Sequence, residues 1–207
     1  MKHLLVTGFG RFPGWATNPT RRIVKTISRS RFQGMKVTTH VFDTEYEGVA
    51  RDLPKLIARV KPDAVLLFGL AGRAPVLRIE RNAHNVTNRL KPDASGRFFT
   101  SRALEPSGPA RRTTSVSTRA LAALLTSEGL KARSSRSAGD YLCNFAYGLA
   151  LKAVAAGEIK SALFIHVPMP RSGETPKKRS TKTRMNANDL DRSGLIAVRW
   201  MATNLRR

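Results

Sequence analysis

An uninterrupted apolar run from Ala64 to Leu70 limits the folds open to this 207-residue chain more than any other segment does. Such a run has no polar face to turn towards water, so it is typical of a central parallel strand that is covered on both sides. It is also far shorter than the roughly 20 residues that a membrane-spanning helix needs. We therefore predict a buried central strand over residues 63–68.

Helix and strand patterns alternate on both sides of this run. Asn18 and Pro19 have the residue types of an N-cap and a first helical position, so a helix is predicted to begin there. Further strands are predicted at 3–7, 36–42, 77–85 and 162–166, and helices at 18–30, 46–60, 116–127, 140–156 and 188–205. The alternation indicates an α/β fold, with a single domain over residues 1–207, a mostly parallel central sheet and helices on both faces.

The net charge of +23 raises the question of a nucleic-acid partner. The charge is spread evenly, with +11 in residues 1–100 and +12 in residues 101–207, and only the stretch from Arg171 to Arg184 approaches a basic patch. An evenly basic surface favours solvation over a specific nucleic-acid site. We therefore expect no specific nucleic-acid partner, and non-specific binding of polyanions at low salt.

Cysteine and histidine usage bears on compartment and on metal chemistry. Cys143 is the single cysteine, so no internal disulfide can form, and the apolar start of the chain meets Gly8 too soon for a secretory signal. A cytoplasmic protein without membrane association is expected. The four histidines are scattered and no second cysteine is present, so no metal site is predicted.

Three residues have the chemistry of a cysteine-dependent catalytic site. Cys143 lies near the start of the helix predicted from residue 140, where backbone N–H groups and the helix dipole stabilise a thiolate; the alternative is a buried structural cysteine. His166 ends a predicted strand and is either a general base or a capping histidine. Glu80 either orients that imidazole or pairs with Arg78 or Arg81.

Two segments rich in proline and glycine are predicted to be loops. The first runs from Lys91 to Arg112, and the second runs from Pro168 to Thr183 and follows His166 directly. Loops at the carboxyl ends of parallel strands often carry functional sites. The second loop therefore either covers the site or is an ordinary surface loop.

Four motifs, in order along the chain, together resemble one family. They are Val6-Thr7-Gly8-Phe9-Gly10-Arg11-Phe12-Pro13-Gly14 with Asn18-Pro19-Thr20, Ile79-Glu80-Arg81 with Ala83 and Asn85, Ser137-Ala138-Gly139-Asp140-Tyr141-Leu142-Cys143-Asn144, and Phe164-Ile165-His166-Val167-Pro168. Their order and spacing are similar to those of the pyrrolidone-carboxylate peptidases, also called pyroglutamyl peptidase type I. The resemblance extends from Met1 to about Pro170.

The resemblance implies a Cys-His-Glu triad, with Cys143 as nucleophile, His166 as general base and Glu80 as the orienting carboxylate. It implies that Phe9 and Phe12 lie against the substrate ring, and that the enzyme removes an amino-terminal pyroglutamyl residue (5-oxoproline) from peptides through an acyl-enzyme. Backbone N–H groups near Cys143 are candidates for stabilising the oxyanion. Neither a metal nor an organic cofactor is implied, and a homo-oligomer is the implied assembly.

One departure from the family bears directly on the site. Many members have Arg-Ile-Pro-Asp ten residues after the glutamate, where this chain has Leu90-Lys91-Pro92-Asp93. Arg89, one place early, is the candidate to supply the missing charge. Two alternatives to pyroglutamyl hydrolysis follow: an altered homologue that binds nucleic acid or another polyanion, and an amidase for a different small lactam.

Overall fold

A six-stranded sheet forms the middle layer of the protein. The structure is a computed structural model and describes residues 1–11, 14, 17–170 and 185–205. The strands of this sheet are β1 (Lys2–Phe9), β2 (Met35–Phe42), β3 (Ala64–Leu70), β4 (Leu77–Glu80), β7 (Ala132–Ser135) and β8 (Ser161–Val167). Their spatial order is β2-β1-β3-β8-β4-β7. Two further strands, β5 (Asn82–His84) and β6 (Arg111–Thr113), form a separate antiparallel pair.

Strand direction in the main sheet is parallel at every pairing but one. The exception joins β4 to β8, which run antiparallel. All seven residues of β3 are buried, as expected of a strand that is covered on both faces. The prediction of a mostly parallel sheet is therefore confirmed.

Helices cover both faces of this sheet. They are α1 (Pro19–Ser28), α2 (Tyr46–Val60), α3 (Thr118–Ser127), α4 (Leu142–Ala155) and α5 (Ala187–Asn204). Side chains of α1, α3 and α5 share one apolar core with one face of the sheet, and those of α2 and α4 share a second core with the other face. The predicted three-layer α/β/α arrangement is confirmed.

Most predicted elements are present within two residues of their predicted bounds, and one of them is divided in two. The predicted strand over 77–85 is two strands, because the backbone N–H and C=O of Arg81 bond to Ser135 and Thr114 instead of continuing one ladder. The helix predicted from residue 140 begins at Leu142. α2 has its predicted bounds although Pro54, a residue type that often ends or kinks a helix, lies inside it; the buried face of α2 packs on both sides of the proline.

None of the helices in the described part of the chain combines the length and the hydropathy that crossing a membrane requires. The carboxyl ends of β1, β3 and β8 lie at one edge of the sheet, since these strands are parallel neighbours. In open α/β sheets this edge is where sites form.

Candidate active site

His166 and Glu80 form a buried hydrogen-bonded pair near this edge. The Nδ1 atom of His166 lies 2.8 Å from Oε1 of Glu80, and the two residues are 6% and 0% exposed. Because a carboxylate oxygen accepts, the imidazole donates from Nδ1 and leaves Nε2 free to accept a proton. The pair therefore has the geometry of a general base and the group that orients it.

The antiparallel pairing of β4 with β8 puts Glu80 within reach of the imidazole. Glu80 lies opposite Phe164, and Arg78 lies opposite His166. Directly opposed residues share a face, as do residues two apart on one strand, so all four side chains lie on the face covered by α4. Glu80 lies opposite Phe164, which is two residues further from the carboxyl end of β8 than His166 is. Its side chain is therefore further from the protein surface, which explains the complete burial of Glu80.

Arg78 binds the same carboxylate. Its Nε atom lies 3.0 Å from Oε1 of Glu80, the oxygen that also accepts from His166. Its Nη2 atom donates to the carbonyl oxygen of Ser137 at 2.7 Å, in the segment that leads to Cys143. The sequence left two interpretations of Glu80 open, as the partner of the imidazole and as the ion-pair partner of Arg78. The Glu80 carboxylate makes both contacts.

Cys143 is the second residue of α4, after the N-cap Tyr141. Gly139 makes the turn before the helix with a φ of 89°, in the left-handed region that favours glycine. The neighbouring Asn144 accepts a hydrogen bond from the His84 N–H and donates to the carbonyls of His84 and Val86. These hydrogen bonds attach the first turn of α4, which contains Cys143, to β5 and to the residues that follow β5.

Gly69 brings the Cys143 sulfur beside His166. Gly69 on β3 is the register partner of His166 on β8, and a Cβ atom at residue 69 would lie only 2.8 Å from Cys143 Sγ. The sulfur therefore lies over β3, directly next to the strand that carries the imidazole. Within the described ranges, Sγ makes no hydrogen bond to that imidazole. Apo geometries of this kind are often loose and tighten with substrate.

Burial dominates the electrostatics of the thiol. It raises the pKa of Cys143 to about 12; the carboxylate of Glu80 adds to the rise, and Arg78 opposes it. The helix N-terminus led to the expectation of a stabilised thiolate, whereas burial acts in the opposite direction. Burial therefore favours the neutral thiol over the thiolate in this site.

Aromatic side chains belong to the same apolar cluster as the thiol. Phe9, Tyr46 and Phe145 are buried in the same apolar cluster as Cys143. The ring of Phe9 lies 6.1 Å from that of Phe42, so Phe9 is a core residue. Phe12 lies outside the described residues.

Arg89 is exposed and lies on the loop beside the start of α4. Its neighbour Asn88 donates to the Asp140 carboxylate at 3.1 Å, which places this loop against the segment that precedes Cys143. The segment from Arg171 to Arg184, most of the predicted second loop, lies outside the described residues. Within the ranges that are described, no three His, Cys, Asp or Glu side chains have the arrangement of a metal site.

Sequence reasoning did not single out Gly69 or Asn144, and it named Arg78 only as an alternative partner of Glu80. A signal for Gly69 was available, since a glycine inside an apolar strand often marks a close approach. No sequence signal connects Asn144 to the residues after β5, because that contact depends on how α4 packs. The contact of Arg78 with the Glu80 carboxylate beside His166 could be predicted only by knowing that β4 runs antiparallel to β8.

Comparisons with known proteins agree with the geometry. The family model described as pyroglutamyl peptidase matches residues 2–189. The pyrrolidone-carboxylate peptidase of Thermococcus kodakarensis is 32% identical over 206 residues, covering 99% of this chain and 98% of that protein. That of Pyrococcus furiosus is 32% identical over 166 residues, covering 80% of each chain.

Solved structures are similar over nearly the whole chain. The pyrrolidone carboxyl peptidase of Fervidobacterium islandicum superposes with a TM-score of 0.89 at 27% identity, covering 98% of this chain and 99% of that one. The enzyme of Thermococcus litoralis gives a TM-score of 0.89 at 27% identity, covering 99% and 95%. The chain therefore belongs to the pyroglutamyl peptidase family of cysteine peptidases.

Proposed function

We propose that this enzyme removes an amino-terminal pyroglutamyl residue from peptides through a Cys143-His166-Glu80 triad. The observation that carries the proposal is the buried 2.8 Å contact between His166 and Glu80, next to a thiol held over Gly69. In the arrangement that activates a thiol for acyl transfer, an acidic residue binds one nitrogen of an imidazole and the thiol lies beside the other nitrogen.

The reaction has two halves. His166 Nε2 accepts the Cys143 proton as the sulfur attacks the pyroglutamyl carbonyl, and the resulting imidazolium donates that proton to the departing amine of the peptide. Water, deprotonated by the same nitrogen, then hydrolyses the thioester and releases pyroglutamate and the free thiol. Throughout, Glu80 keeps the imidazole oriented and stabilises its positive charge.

Backbone groups at the start of α4 are our candidates for the oxyanion site. The first N–H groups of a helix have no partner within the helix, and Cys143 is its second residue. Negative charge that develops on the substrate oxygen is stabilised by such donors and by the positive end of the helix. We assign ring contact to Phe9 and Phe12, and a supporting charge to Arg89, as part of the same proposal. Residues 1–207 then act as one peptidase domain.

Hydrolysis of a pyroglutamyl fluorogenic amide tests the proposal. We expect turnover by the wild type, loss of at least about 10³-fold in kcat for Cys143→Ala, and a strong loss for Glu80→Gln, which keeps the shape but removes the charge. Arg51→Gln is a matched control, because Arg51 is exposed and, among the described residues, bonds only to its neighbour Asp52.

Inactivity of a folded, reduced wild type would contradict the proposal. Amides of other small lactams would then be tested as substrates, and binding of a single-stranded oligonucleotide at low and high salt would test the polyanion alternative.

A further inference from the structure

The hydroxyl of Tyr46 is a buried donor that has no partner among the described residues. Tyr46 is the first residue of α2 and is 7% exposed. Its hydroxyl oxygen makes no hydrogen bond within the described part of the chain, although the backbone N–H of the same residue donates to Asp93. A buried polar group without a partner is destabilising, so a native structure seldom keeps one without a use for it.

This hydroxyl belongs to the surroundings of the nucleophile. The Tyr46 ring lies 5.6 Å from that of Tyr141, the N-cap of the helix on which Cys143 is the second residue. It lies 5.4 Å from Phe145, which is two residues beyond Cys143. Tyr46 therefore packs against both sides of the turn that carries the thiol.

The charge state of Tyr46 suits a donor. Burial, aided by the neighbouring Tyr141 and by the carboxylates of Asp140 and Asp93, raises the pKa of this hydroxyl well above its usual range. Tyr46 thus keeps its proton at neutral pH.

We infer that the Tyr46 hydroxyl donates a hydrogen bond to the ring carbonyl of the pyroglutamyl residue and so determines specificity for a lactam. The inference rests on the proposed function. An aromatic wall suits a flat ring, and one donor within that wall matches the one ring carbonyl of the substrate. A site of this kind rejects analogues that leave its buried donor without a partner.

A purely structural hydroxyl predicts the opposite outcome on mutation. Tyr46→Phe keeps the ring and removes only the unpartnered oxygen, so the melting temperature should stay the same or rise. If the hydroxyl binds substrate, catalysis should fall in this variant while stability does not. Ser161→Ala is the matched control, because Ser161 also has a buried hydroxyl with no partner in the described ranges but lies at the end of β8 opposite to His166.

The experiment measures kinetics and ligand binding together. For Tyr46→Phe we expect kcat/KM on a pyroglutamyl amide to fall about 10- to 100-fold, mainly through KM. Affinity for 2-pyrrolidone, the bare lactam, measured by calorimetry in a Cys143→Ala background, should fall by a similar factor. The rate of Cys143 alkylation by iodoacetamide and the kinetics of Ser161→Ala should stay at wild-type values.

Two results would overturn the inference by itself: an active wild type with unchanged kcat/KM and 2-pyrrolidone affinity in Tyr46→Phe, or a loss of activity that is accompanied by a lower melting temperature. A wild type that is inactive on the pyroglutamyl amide would overturn the proposed function, and the inference with it.

Discussion

The absence of a side chain at residue 69 leaves room for the sulfur of Cys143. A Cβ atom there would come within 2.8 Å of Cys143 Sγ and within 2.6 Å of the Phe164 ring. Both neighbours are buried in the core between α4 and the sheet, so neither can move away easily. The position of the thiol next to His166 therefore depends on a residue with no functional group.

We predict that Gly69→Ala lowers kcat on a pyroglutamyl amide at least about 100-fold, since a displacement of about 1 Å can cost that much. Stability should fall by about 1–3 kcal/mol through overpacking. Gly48→Ala is the control, because its Cβ would meet only ordinary contact, with Glu45 at 3.8 Å. A Gly69→Ala enzyme with wild-type kcat would contradict the positioning role.

The buried thiol also predicts a pH dependence of stability. The pKa of Cys143 is about 12 in the folded protein and about 8.5 in an unfolded chain. Between these values the unfolded chain has lost the thiol proton and the native protein has not, so stability falls as pH rises. Denaturant unfolding of the wild type and of Cys143→Ala at pH 9 and pH 10 measures this fall in stability. Between the two pH values, we expect the free energy of unfolding to fall by about 1 kcal/mol more in the wild type than in the variant. Equal losses would contradict a buried neutral thiol.

At the scale of elements, the long periodic patterns were the predictable part. The pattern of α2 and the apolar run of β3 reflect burial, which sequence records directly. The split between β4 and β5 was not predictable, because both strands have similar local patterns and only their partners differ. For the site, the residue types and their motifs indicated the triad, whereas the contacts of Arg78 and Gly69 follow from strand order and direction.

The anchoring of α4 through Asn144 gives a prediction at this scale. Asn144 is fully buried and makes three hydrogen bonds with His84 and Val86. Asn144→Ala leaves these backbone groups unsatisfied, so we expect a loss of about 2–4 kcal/mol in the free energy of unfolding, together with lower kcat. Asn204→Ala, at the exposed end of α5, should change neither. Denaturant titration measures the free energy of unfolding. A decrease of less than about 0.5 kcal/mol for Asn144→Ala would contradict the anchoring role of Asn144.

For the whole molecule, charge is the dominant property. A net charge of +23 on every chain opposes any assembly of identical copies. We therefore predict that self-association strengthens with salt, since the Debye length falls from about 30 Å at 0.01 M to about 3 Å at 1 M ionic strength. Sedimentation velocity across this range measures the effect. A protein that stays monomeric at both extremes would contradict the expected homo-oligomer.

Because of the place of β8 in the strand order, the central sheet can be completed only late in synthesis. β8 lies between β3 and β4, although it leaves the ribosome long after both. Until it inserts, β2-β1-β3 and β4-β7 are two separate ribbons with open edges. β8 also carries His166, the base in the proposed triad, so a nascent or truncated chain without this strand has Cys143 but lacks that histidine. Under the proposed mechanism, peptidase activity therefore requires the complete sheet.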